Sequence, residues 1–329
     1  MTRPNLKSAV AQFFDSDSTQ YLKYQYLSDS HSIMRLRKDL AKNLFRRHVA
    51  PGLHDGFQLL DCGCGPGILQ DALAEYPIHY WGVDISEKML RLATENVGSS
   101  SWSGRNLVRA DVESLPFGPN SFDAAVSLGV IEYLDNDEAL LTEMARTIKP
   151  GGLLLIAVTN RHSYNLLFDK FMQWLRTKRL AVAILTRIKQ TMGRGKFRQA
   201  TFAKRRHSPH EFSTKLGRFN FEPIEMRFCG LNALPYPLDH LCGRKLNTVV
   251  NALYAKSRLR LVHMLGESYM VLCRSAKVEP APSFHGERRH ERRFASSASS
   301  ESFGTTGAES DLHLDLGTRS PAQEFALGK

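Results

Sequence analysis

Leu59-Leu60-Asp61-Cys62-Gly63-Cys64-Gly65-Pro66-Gly67, followed by Trp81-Gly82-Val83-Asp84-Ile85-Ser86, decides the fold of this 329-residue chain. An apolar run ends in an acid and a glycine-rich turn, Ile68 to Ala74 then reads as helix, and a second short apolar run ends on Asp84, 23 residues after Asp61. In a parallel sheet such a turn lets a ligand approach bare backbone, and the second carboxylate sits where it can take both hydroxyls of a ribose. Three glycines in five residues also occur in plain tight turns. The pattern is Gly-x-Gly-x-Gly, with Ile68 where a dinucleotide fingerprint wants its third glycine. An acid at Asp61 suits a cationic amino group better than a diphosphate.

The segment resembles motif I of the class I S-adenosylmethionine-dependent methyltransferases. Three further stretches resemble that family in the expected order: Arg109 to Phe117, Ser121 to Leu134, and Arg146 to Ile156 with its Pro150-Gly151-Gly152 turn. The resemblance is specific over residues 57–160 and looser to about Arg274. It implies an α/β fold: a Rossmann-like seven-stranded methyltransferase sheet with helices on both faces and helical insertions as a cap. It further implies S-adenosylmethionine as cofactor, held by Asp61, Gly63, Cys64, Gly65, Asp84, Ile85, Asp111, Val112 and Leu128. Asp111 would take the adenine amino group. The resemblance is closest to the group that includes quinone, lipid and secondary-metabolite methyltransferases.

Five scattered cysteines, without paired metal spacings, argue for a reducing compartment and against a disulfide framework or a metal site. The start of the chain lacks a signal-length apolar core, and no run of about 18 apolar residues follows. These features predict a cytoplasmic protein. Charge is unevenly spread: between Arg161 and His210 stand thirteen Lys and Arg against the single acid Asp169, while the rest of the chain holds 31 basic and 32 acidic residues. The bland reading of this run is a solvated helical face. Its apolar half, with Leu167, Phe168, Phe171, Met172 and Leu175 at helical spacing, suits instead a lid, an anionic bilayer or an anionic acceptor. Each basic residue near acidic lipid is worth about 1 kcal/mol, enough in sum for peripheral contact with the inner face of a membrane. Nucleic acid is the competing anion, disfavoured because the aromatics follow the apolar face instead of alternating with the charges.

Five segments result. Residues 1–56 read as an N-terminal helical cap, with Phe13 and Phe14 near its start, Tyr21, Tyr24 and Tyr26 as cation-facing or packing aromatics, and an apolar stripe of Ile33, Leu36, Leu40 and Leu44. Residues 57–160 form the cofactor-binding core and 161–207 the basic amphipathic insertion. Residues 208–276 complete the fold, starting with a Ser208-Pro209-His210-Glu211 capping box. Phe221 to Phe228 and Ser268 to Arg274 are its last strands, separated by a second cap element with Leu234 to His240 and a helix over Leu246 to Leu259. Residues 277–329, rich in Ser, Gly, Glu and Arg, read as a disordered tail.

A sulfonium methyl is already electrophilic, so such an enzyme works mainly by proximity and orientation, and a base is needed only for an acceptor that must lose a proton. Glu132, Tyr133, His162 and His207 are the polar candidates for that role. Ser127-Leu128-Gly129-Val130 replaces the Asn-Pro-Pro-Tyr type of motif, which disfavours amino methylation of adenine or glutamine. The resulting reading is methyl transfer to a small, amphipathic or anionic acceptor. A non-catalytic scaffold at a membrane, or a methyltransferase acting on RNA, are the alternatives. Oligomeric state has no signature in the sequence.

Overall fold

Seven strands form one mixed sheet in the order β3-β2-β1-β4-β5-β7-β6. The computed structural model describes residues 6–27, 32–96, 104–166, 205–231, 244–257 and 260–277, all within one compact unit, Met1–Glu279. The strands are β1 Gln58–Cys62, β2 His79–Asp84, β3 Arg105–Arg109, β4 Phe122–Leu128, β5 Ile148–Thr159, β6 Phe221–Cys229 and β7 Ser268–Ser275. β1 to β5 run parallel, and β7 lies antiparallel between β5 and β6. The seven-stranded Rossmann-like sheet is therefore as expected, and its last two strands start at the expected residues.

Helices follow the strands: α1 Leu6–Leu22, α2 Ile33–Leu44, α3 Ile68–Leu73, α4 Glu87–Asn96, α5 Asp137–Thr147, α6 Pro209–Arg218, α7 Arg244–Lys256 and α8 Arg260–Met264. Leu59 and Leu60 point to opposite faces of β1 and enter two different cores. Leu59 packs with Ala41 and Leu44 of α2 and Leu73 of α3. Leu60 packs with Leu140, Leu141 and Met144 of α5 and Phe212 of α6. Covering on both faces explains why the parallel strands read as continuous apolar runs. The strand order reverses between β1 and β4, which opens a crevice at their carboxyl ends.

Three local expectations need correction. The buried face of α2 is Met34, Arg37, Ala41 and Leu44, one residue out of phase with the expected stripe over most of its length. The helix is turned by Arg37, whose fully buried guanidinium has its partners on the sheet edge. The expected Pro-Gly-Gly turn lies inside β5: Phe122 pairs with Ile148 and Ala124 with Leu153, so the intervening residues bulge without ending the strand. At the start of α6, Pro209 stands in the first turn as expected, but Ser208 makes no side-chain capping bond. The Leu246-to-Leu259 helix starts at Arg244 and ends at Lys256. The central basic insertion (167–204), the Leu234-to-His240 stretch, the side chain of Tyr24 and the tail beyond Lys277 lie outside the described residues.

Candidate functional site

A cavity of about 990 Å³, including its mouth, lies at the carboxyl ends of β1 and β4. Its floor is the turn after β1, folded back so that the Gly63 and Cys64 amides donate to the Val83 carbonyl at 2.7 and 3.0 Å. Gly63 and Gly65 have φ of +75° and +52°, the left-handed region where a side chain is strained. Space separates their roles. A Cβ on Gly63 would come within 2.1 Å of Val130 Cγ2, whereas one on Gly65 would meet nothing within 4 Å. Gly63 is thus a packing requirement, and Gly65 presents bare backbone to the cavity.

Two carboxylates stand beside this turn. Asp84 accepts the Gly65 amide on Oδ2 at 2.9 Å and the Ser86 amide on Oδ1 at 2.8 Å. Asp61 accepts the Tyr80 hydroxyl on Oδ2 at 2.5 Å. Burial pushes the Asp84 carboxyl up to about 6 against the pull of those amides. Burial likewise pushes Asp61 up to about 7; the Tyr80 hydroxyl opposes this and the Asp84 charge adds to it. A cation in the cavity would hold both groups ionised. The thiols of Cys62 and Cys64 are buried and pushed far up by desolvation, so neither is a nucleophile at neutral pH.

The N-terminal helix closes the cavity. Lys7, Val10, Phe14 and Tyr21 of α1, with Tyr26 in the π-helical turn Lys23–Leu27, form one wall. Lys7 Nζ binds Asp111 Oδ2 at 2.6 Å and also pairs with Glu113. Asp15 accepts the Ser86 hydroxyl at 2.6 Å and so ties α1 to the start of α4. The Phe14 ring meets Tyr21 and Tyr133 edge-on, with centroids 5.5 and 5.4 Å apart. Burial raises the Tyr21 and Tyr26 hydroxyls well above their ordinary value, so both rings stay neutral.

A family profile described as "Methyltransferase domain" matches residues 60–156, the stretch that supplies β1 to β5 and the cavity floor. Residues 60–156 are by this match a methyltransferase domain. A relative described as ubiquinone biosynthesis O-methyltransferase, from Dechloromonas aromatica, is 29% identical over 199 residues, 60% of this chain and 77% of that one. A probable 18S rRNA (guanine-N(7))-methyltransferase from Dictyostelium discoideum is 32% identical over 139 residues, 42% of this chain and 45% of that one. The chain spans about half the length of several other such relatives. Magnesium protoporphyrin IX methyltransferase from Synechocystis PCC 6803, solved with S-adenosylhomocysteine, shares the fold, with a TM-score of 0.52 and 16% identity over 82% of this chain and 99% of that one.

The residues that line the cavity fit S-adenosylmethionine. Bare backbone at Gly65, two carboxylates and an aromatic wall converge on one cavity, which suits a nucleoside that carries an amino group and a sulfonium cation. All nine residues expected from the sequence to hold the cofactor line this cavity: Asp61, Gly63, Cys64, Gly65, Asp84, Ile85, Asp111, Val112 and Leu128. The aromatics Phe14, Tyr21 and Tyr26 join them.

The four base candidates separate. Tyr133 lines the cavity, but Glu132, His162 and His207 do not. Glu132 is 1% exposed and is held by Arg37 and by the Thr159 hydroxyl. His162 is exposed, and its amide donates to Asn160 Oδ1. His207 packs on Phe212, with Nδ1 3.7 Å from the buried Asp137; burial lowers its pKa. Sequence reasoning missed Lys7, Lys38 and Met89 in the lining, since none belongs to a motif. It also missed Arg37, for which one signal existed: a charged residue inside an otherwise apolar helical stripe.

Proposed function

We propose that this methyltransferase alkylates a small amphipathic or anionic acceptor bound beside Tyr133, Tyr26 and Lys38. S-Adenosylmethionine supplies an electrophilic methyl group on a sulfonium. Asp84 takes the ribose hydroxyls, Asp61 attracts the amino group, and the Gly65 backbone lies against the ligand. Asp111 and the Val112 amide meet the base, and Leu128 walls the methionine end. Phe14, Tyr21, Tyr26 and Tyr133 exclude water and face the cation with neutral rings. The observation that carries this reading is one continuous cavity wall from the Asp61–Asp84 pair to Tyr26, Tyr133 and Lys38.

An apolar, aromatic wall with the Lys38 ammonium suits an acceptor with an apolar body and an acidic group. The relative named for ubiquinone biosynthesis supports a small-molecule acceptor. Glu132 is excluded as a free base because its carboxylate is already held by Arg37, so Tyr133 is the group to move a proton where the acceptor must lose one. The basic segment 161–207 would hold the protein to the inner face of an anionic membrane. The reading as an RNA methyltransferase draws on that same charge and on the rRNA-methylating relative. The deciding experiment adds the purified protein and methyl-labelled cofactor to parallel lipid, small-molecule and RNA extracts. Label entering an organic-soluble species supports the proposal, and label confined to RNA overturns it.

A further inference from the structure

Helix α7 is mounted inside out. Its protein-facing side carries Asn247, 2% exposed, Asn251 and Tyr254, while Leu246, Val249 and Leu253 on the other side are 49%, 53% and 64% exposed. This orientation is specified by hydrogen bonds. Asn251 Nδ2 donates to the Leu231 carbonyl at 2.8 Å, and its Oδ1 accepts the Leu231 amide at 3.1 Å. The Tyr254 hydroxyl donates to the His263 carbonyl. Rotating α7 to hide its leucines would break these bonds, so the outward apolar stripe at i, i+3 and i+7 is built in. Met264 and Leu265, at the end of α8, are exposed apolar residues as well, at 39% and 41%.

Charge identifies what the stripe faces. Between Asp239 and Glu267 the sequence holds Arg244, Lys245, Lys256, Arg258 and Arg260 and no acid. In sequence the helix and its flanks thus carry basic residues and no acid, a charge pattern that complements an anionic lipid surface. The patch also adjoins the foot of the basic segment: the Tyr164 amide donates to the Leu265 carbonyl at 3.1 Å, and Asn160 Nδ2 donates to the Met264 carbonyl at 2.7 Å. Both elements follow strand ends at the carboxyl edge of the sheet, where the cofactor cavity opens. A Cβ on Gly230, where the chain leaves β6 toward α7, would meet Ile33 Cδ1 of the cap at 2.4 Å, so the cap packs against the start of this connection.

We propose that the outer face of α7, with the exposed Met264 and Leu265 at the end of α8, is an interfacial membrane-docking surface that seats among the lipids and turns the cavity edge of the enzyme toward the bilayer. The proposal rests on the membrane reading above and deepens it by naming the apolar element that inserts. The basic segment attracts, and α7 enters.

The test uses the full chain, vesicles of phosphatidylcholine mixed with phosphatidylglycerol, and the double variant Val249→Gln, Leu253→Gln. Both positions point outward, so calorimetric affinity for S-adenosylmethionine should match the parent and certifies folding. The parent should sediment with acidic vesicles, and the variant should bind about tenfold more weakly, as expected for two apolar side chains withdrawn from partial burial. A separate Leu253→Trp variant should show a blue-shifted emission on vesicles that brominated lipid quenches. Equal vesicle binding by the parent and the Gln variant, without quenching, would overturn α7 insertion and leave adhesion to the basic segment alone. No vesicle binding by the parent at low salt would overturn both readings. Self-association of the parent that the Gln variant abolishes, without vesicle binding, would assign the stripe to a second copy of the chain.

Discussion

The Arg37 guanidinium donates to both carboxylate oxygens of Glu132, Nη1 to Oε1 at 3.3 Å and Nη2 to Oε2 at 3.1 Å, with both residues 1% exposed. The same guanidinium donates to the Ser268 hydroxyl at 2.8 Å and the Thr159 hydroxyl at 3.0 Å, so one side chain joins α2, the turn after β4, β5 and β7. Removing one partner strands the other's charge in the interior. Glu132→Ala should therefore cost about 3–5 kcal/mol. A double variant, Arg37→Met with Glu132→Leu, should lose less than the two single variants combined. Urea denaturation of the four proteins measures the coupling. Simple additivity would mean the pair acts as two independent contacts.

Asp84 is predicted to anchor the cofactor's ribose. Losing a pair of charge-assisted hydrogen bonds costs roughly 1.5–3 kcal/mol, so Asp84→Ala should weaken S-adenosylmethionine binding about tenfold to a hundredfold in calorimetry. Part of that loss will come from the Gly65 amide, which Asp84 now holds. Undiminished affinity would remove Asp84 from the site.

Valine at the two turn glycines should produce different defects. Gly63→Val drives a side chain into Val130 and should lower stability along with binding, because the collision lies in packed structure. Gly65→Val meets open space and should keep a cooperative melt, at a backbone cost of about 1–2 kcal/mol, while abolishing cofactor binding. Thermal denaturation and calorimetry, read together, separate them. Normal binding by the Gly65 variant would place the ligand elsewhere.

The raised carboxyls make a prediction with a definite sign. Asp61 and Asp84 titrate at about 7 and about 6 in the fold, against about 4 in an unfolded chain. The folded cofactor-free protein therefore binds more protons than the unfolded chain between about pH 4 and 7, and these groups make it lose stability as pH rises through that window. Asp61→Asn should flatten part of the slope. Cofactor binding should run the opposite way, strengthening up to about pH 7 as the carboxylates ionise. Tyr80→Phe removes the hydroxyl that lowers the Asp61 pKa, so the binding midpoint should move to higher pH. A midpoint unchanged in both variants would dissociate Asp61 from binding.

The cavity floor is legible in the sequence because its contacts are short-range. Asp61, the glycines and Asp84 belong to a strand–turn–helix–strand unit, in which backbone conformation and residue type constrain each other directly. The cap is less so. Lys7 and Asp111 are 104 residues apart, and nothing in the local composition of α1 marks Lys7 as reaching the core. Arg37 misleads because periodicity assigns the inward face by hydrophobicity, whereas here a paired charge sets the helix phase. His207 illustrates the opposite error. A histidine near the sheet edge invites a catalytic role, yet Asp137, with Arg205 and Lys215 each 2.7 Å away, holds that corner as a buried ionic node.

That corner has a consequence for how the molecule can vary. Asn160 bridges His207, and the Arg161 amide donates to the His207 carbonyl at 3.0 Å, so the two ends of the connection between β5 and α6 meet at one point. A loop whose two feet are already clamped together changes length cheaply, at about 0.6 kcal/mol for each doubling. The domain can thus carry this segment as an exchangeable cassette, replaced by a longer, shorter or differently charged one without re-engineering the sheet. Homologous domains would then differ in where they work and on what through this one socket, while the machinery around Asp61 and Asp84 stays as it is.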